Sequence, residues 1–176
     1  MRNFTSAFLV LISFISNAQN DTVKIPIPMK NGIVFYEKDY ILDNTSGKDK
    51  LYGRALAWFT RTFHGAENNI KIADKKSGKL VATGAFKVIV SETGNYYWLK
   101  PVIDITVKDG NYIFQAYDYY EKPIEKGITN DYSKIEYRWW DFRRGKPWSS
   151  EDQKLFEGLD QNTLSLMASL EKDMTK

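Results

Sequence analysis

The chain has 176 residues, a formal net charge of +3 and no cysteine. The missing cysteine excludes disulfide staples, thiol nucleophiles and Cys-ligated zinc, and the near-balanced charge predicts neither a polyanion binder nor an acidic tail. The excess is aromatic, with five Trp, eleven Tyr and ten Phe, residue types that favour strands.

Met1-Arg2-Asn3 is a short cationic start, residues 8–15 are an apolar centre, and Ser16-Asn17-Ala18 carries small residues ahead of a cleavage point. This is the layout of a secretory signal peptide over 1–18, which predicts export to the periplasm or the extracellular space and a mature chain starting near Gln19. The apolar centre is shorter than the roughly 20 residues of a membrane-spanning helix. No later stretch is apolar enough for a membrane span, and without cysteine there is no acceptor for an N-terminal lipid. Residues 19–31, with Pro26, Pro28 and Asn31-Gly32, read as an extended leader ending in a turn. Residues 32–176 read as one domain, large enough to be held by its core alone.

From Ile33 to Leu42, Val34, Tyr36, Tyr40 and Leu42 alternate with charged residues, the pattern of a half-buried strand. Ser46 and Asp49 have the spacing of a capping box. Leu51, Ala55, Trp58, Phe59 and Phe63 then recur at three- and four-residue intervals and predict an amphipathic helix closed by Gly65. Ile70 and Ile72 open a strand, residues 74–79 make a hairpin turn, and Leu80 to Val90 reads as one further strand. Tyr96–Lys108 and Asn111–Tyr120 form a second hairpin around Asp109-Gly110. Pro101, inside the first of these strands, predicts a bulge or an edge there. Residues 121–133 read as loop. In 134–144, Ile135, Trp139 and Phe142 have helical spacing against a strand-like composition, and a short helix is favoured. Ser150 and Gln153 predict a capping box for a C-terminal amphipathic helix that Gly158 kinks or divides.

The order is strand, helix, four antiparallel strands and closing helix. It predicts an α+β two-layer sandwich, an antiparallel β-meander with the helices on one face.

Leu51-Tyr52-Gly53-Arg54-Ala55-Leu56-Ala57-Trp58-Phe59-Thr60-Arg61-Thr62-Phe63 resembles the first-helix motif of a secreted bacterial family, and residues 72–84 resemble its following hairpin. The family is domain of unknown function 4468, with a TATA-binding-protein-like fold. The resemblance covers roughly residues 32–120, including Ile103–Val107, the Asp109-Gly110 turn and residues 117–120; segment 134–148 lies outside it. It implies the same element order and no activity, and its fold name does not import DNA binding.

His64, the lone histidine, reads as a helix-terminal residue rather than a base or ligand. Asp104 and Asp118 are a conceivable hydrolytic pair, but alternation places both on the solvent face of the sheet. Neither a phosphate loop nor a serine with a base partner is present, so no catalytic residue, metal or cofactor is expected. The aromatic and cationic run Tyr137, Arg138, Trp139, Trp140, Arg143 and Arg144 is the candidate interaction surface, because exposed Trp beside Arg is enriched at interfaces. Adjacent Trp139 and Trp140 must point different ways. The function expected is an exported, non-catalytic domain that binds another envelope or surface component and no nucleic acid. A small-ligand or glycan-binding domain is the alternative, and a carboxylate-dependent hydrolase is a third reading.

Overall fold

The longest hairpin of the chain organises everything around it. In the computed structural model, which describes residues 27–42, 46–64, 69–125, 130–142 and 147–176, strands β6 (Tyr96–Lys108) and β7 (Asn111–Ile124) pair antiparallel about Asp109-Gly110. Gly110 takes the positive φ of +74° that this two-residue turn needs. The expected signal peptide and the start of the leader lie outside the described residues.

Strand β2 (Ile33–Ile41) pairs with β7 and carries the two-residue β1 (Met29–Lys30) on its other edge. On the far side of β6 come β4 (Lys79–Thr83), then β3 (Ile70–Asp74), giving the order β1-β2-β7-β6-β4-β3. β5 (Phe86–Ile89) pairs with β6, and β8 (Ser133–Lys134) pairs with β7. The helices, α1 (Lys48–Thr62) and α2 (Ser150–Met174), pack against one face of this sheet and against each other. Leu51, Ala55, Trp58 and Phe59 are fully buried there against Ile103, Ile105, Val107 and Phe114 in one continuous cluster. The apolar stripe read from the sequence is the stripe that is buried, and burying each such large side chain is worth on the order of 1.5–3 kcal/mol. The α+β sandwich is thus the observed architecture.

Four local expectations are corrected, each for a physical reason. The segment 80–90 is two strands, because Gly84 falls opposite Pro101, which has no N–H to offer the ladder. A Cβ at Gly84 would also meet the Phe63 ring at 2.3 Å. Gly158 neither kinks nor divides α2; a Cβ there would stand 2.3 Å from Val88, so the glycine lets the helix lie close on β5. The N-cap of α1 is Gly47 without a side-chain bond, and the orphan N–H of Lys48 is taken by Asp109 Oδ1 at 2.7 Å, from the β6–β7 turn. The capping box of α2 is Ser149 with Asp152, one residue earlier than the spacing suggested.

The bulge expected from Pro101 is present and falls on the partner strand. Lys100 pairs with Tyr120 and Val102 with Tyr117, so Asp118 and Tyr119 together oppose the proline, and Asp118 has φ +48°. The extra residue shifts the phase of β7. Tyr112, Phe114 and Ala116 face the helices before it, and Tyr119 and Glu121 face them after it.

Candidate functional site

The re-phased end of β7 brings a carboxylate into the interior, and the aromatic segment is built on it. Ile135 N–H bonds to Tyr119 O at 3.0 Å just past β8, and the Ile135 side chain is buried. The chain then turns into a π-helical turn, Arg138–Phe142. Segment 134–144 therefore begins as strand at Lys134 and turns into the π-helical turn that ends at Phe142, its last two residues lying outside the described ones.

Arg138 points inward from that turn. Its Nε donates to both carboxylate oxygens of Glu121, at 2.9 and 2.7 Å, and one Nη donates to Asp152 Oδ1 at 2.5 Å. The guanidinium lies 4.9 Å from the centre of the Tyr97 ring. Asp152 holds α2 with its other oxygen, which accepts from Ser149 N–H at 2.9 Å and from Ser149 Oγ at 2.6 Å. Glu136 is 1% exposed; its Oε1 accepts from Val34 N–H at 3.0 Å, while its Oε2 is buried without a hydrogen-bond partner. Burial pushes the Glu121 carboxyl above the ordinary carboxylate value against the opposing pull of Arg138, and Asp152 and Glu136 push it the same way as burial. Three carboxylates and one guanidinium thus fasten β2, β7, the π turn and α2 together.

The four described residues of the candidate surface divide into pairs. Arg138, with its side chain 14% exposed, is an internal anchor. Trp139 is half-buried; its ring is 5.5 Å from Trp148 and 4.7 Å from Phe156, so it closes the end of the core. Tyr137 and Trp140 face outward, 38% and 45% exposed, with ring centres 6.0 Å apart. The opposite directions expected of Trp139 and Trp140 are observed. Trp140 Nε1 is next to Gly32 in the β1–β2 turn, 3.9 Å from where a Cβ would be. Arg143 and Arg144 lie outside the described residues.

Sequence reasoning missed Glu121, Glu136 and Asp152. The usable signal was Pro101, since a bulge opposite it moves Glu121 from the outer face to the inner one.

Asp104 and Asp118 do not converge. Asp104 pairs in register with Gln115 and, against the expectation of a solvated residue, is buried with Lys79 Nζ at 3.0 Å. Asp118 meets Lys134 Nζ at 3.2 Å. His64 is exposed just beyond α1. Among the described residues, no group of three or more His, Asp and Glu is arranged to hold a metal ion. No helix among them is long and apolar enough to cross a membrane.

The helix-backed antiparallel sheet is the fold of TATA-binding-protein-like domains. The family model of the domain of unknown function (DUF4468) with TBP-like fold matches residues 36–121, from β2 to the buried Glu121. Its fold is similar to the crystal structure of a TBP-like protein from Parabacteroides distasonis ATCC 8503, with a TM-score of 0.68 at 16% identity over 84% of this chain and 96% of that one. It is also similar to a DUF4468 family protein from Bacteroides ovatus ATCC 8483, with a TM-score of 0.60 at 15% identity over 85% of this chain and 92% of that one. No match is found among curated proteins. The π turn and α2 lie beyond the family match.

Proposed function

We propose that this protein is an exported, non-catalytic domain that docks another component of the cell envelope or surface through Tyr137 and Trp140. The carrying observation is that these two aromatic rings stand exposed on a turn whose neighbour, Arg138, is bonded to two elements of the core. Such a turn presents large apolar surface with little conformational freedom left to lose on binding. The cationic, apolar and small-residue order of residues 1–18 supports export. The sealing of Glu121 and Asp152 around Arg138 supports a non-catalytic reading, because their oxygens are engaged within the protein.

The test is affinity capture from an envelope extract with the wild-type chain and with Tyr137→Ala plus Trp140→Ala. A component held by the wild type and lost by the variant supports the docking surface. Retention of every component by the variant overturns it. N-terminal sequencing of the fractionated protein tests the other half, with Gln19 as the expected first residue.

A further inference from the structure

Opposite the helices, the end of the sheet formed by β5, β6, β7 and β8 carries a second surface. Directly paired residues share a face of a sheet, so the register defines what stands there. One row runs Lys87, Trp98 and Lys122 across three strands, and the next runs Lys100, Tyr120 and Lys134. Tyr96 stands beside Lys87, whose Nζ is 3.8 Å from the ring centre. Tyr132 is met by two ammonium groups, Lys100 at 4.3 Å and Lys122 at 5.8 Å. Lysines and aromatic rings therefore alternate in two directions.

Charge on this face is one-sided. Among the described residues, Lys87, Lys100 and Lys122 have no carboxylate within ion-pair distance, and the acid that reaches the grid is Asp118, on Lys134. The near-neutral total charge of the chain conceals this segregation, and the expectation from composition that there is no polyanion-binding surface does not extend to it. Trp98, 36% exposed, lies between Lys87 and Lys122 in its row, and strand spacing puts these two lysines about 10 Å apart at the backbone.

We infer that this face is a binding surface for an acidic glycan, a polysaccharide strand bearing carboxylate groups. The sugar ring lies on the Trp98 indole, and its carboxylates reach the ammonium groups on either side. The cation positions decide between a glycan and a single-stranded nucleic acid. A run of nucleobases needs a succession of free ring faces. Here the faces of Tyr96, Tyr120 and Tyr132 already carry ammonium groups, at 3.8, 5.9 and 4.3 Å. Lysine is a compact point charge suited to single carboxylate contacts, whereas arginine would suit bidentate phosphate. This surface is separate from Tyr137 and Trp140, and the inference does not rest on their role.

The full chain is titrated by calorimetry with polygalacturonate, with the fully methyl-esterified polymer, and with an oligothymidylate. Polygalacturonate is expected to bind with an affinity that falls as salt is raised, and the uncharged ester is expected not to bind. Lys100→Gln with Lys122→Gln weakens binding by about tenfold, and Trp98→Ala by a similar factor. Lys75→Gln with Lys76→Gln, on the distant β3–β4 turn, leaves binding unchanged. The inference is overturned by absent polygalacturonate binding, by equal binding of the ester, by tighter binding of the oligothymidylate, or by indifference to the Lys100 and Lys122 changes in variants with an unaltered urea midpoint.

Discussion

The two halves of the helical face are buried to a similar degree and built from opposite materials. Under α1, Leu51, Trp58 and Phe59 lie in one cluster with aliphatic and aromatic side chains of β6 and β7, and the directional contact these three side chains make is Trp58 Nε1 donating to Ser169 Oγ at 3.1 Å. Around Arg138, the interior is a guanidinium held by Glu121 and Asp152, with Glu136 bonded to β2. The first half adds stability in proportion to the area it removes from water. In the second, desolvation of the charges offsets much of their attraction, so what the ring supplies is position. It fixes the bulged end of β7, the π turn and the first turn of α2 with respect to one another.

This contrast is sharpest under substitution. Phe59→Asp places an unpaired charge in the apolar half and removes a large buried ring; together these exceed a typical domain stability of about 5–15 kcal/mol. The variant should be unfolded without denaturant, and a urea melt like that of the wild type would break the assignment of α1 to the core. Arg138→Met acts on the other half by leaving carboxylates buried without their cation, at a cost of about 3–5 kcal/mol. Adding Glu121→Gln to that variant should restore part of the loss, and a double-mutant cycle from urea melts reads the coupling. Additive effects would mean that the ring is not a unit.

Two smaller effects refine the same comparison. Burial raises the Glu121 carboxyl, so folding favours its protonated form. The stability this contributes is fully present below the unfolded value of about 4.3 and is lost as pH rises through the raised folded value. Urea midpoints of Glu121→Gln should therefore fall less steeply over that window than those of the wild type. In the apolar half, the Tyr112 hydroxyl is buried without a partner, stacked 4.6 Å from Tyr40. Tyr112→Phe removes an unsatisfied polar group, and its thermal midpoint should be unchanged or higher, by up to about 1 kcal/mol in stability. A clear loss would show that this hydroxyl has a partner.

The apolar half was legible in the sequence because periodicity is a local signal. The intervals between Leu51, Ala55, Trp58 and Phe59 state both the helix and its buried side, and Asp109-Gly110 states the hairpin. The charged half was not, because its members come from β7, the π turn and α2 and have meaning only in register. Glu121 reads as the start of a loop, whereas β7 runs through it to Ile124, and the extra residue opposite Pro101 turns it inward. Arg138 reads as part of an interaction surface until Glu121 and Asp152 are known to lie beneath it. Asp152 was hidden by a competing spacing, Ser150 with Gln153, and prevails because its carboxylate serves the helix terminus and the guanidinium together. Of the proposed contact residues, Tyr137 and Trp140 were visible as a composition, but which of two adjacent tryptophans turns outward is decided by Trp148 and Phe156.

The cap that Asp109 places on α1 has a kinetic side. It joins positions 61 residues apart in sequence, whereas the bond that starts α2 closes over three. Loop closure has to precede the first and not the second. The opening turn of α1 thus matures on a finished β6–β7 hairpin, while α2 carries its own starting signal.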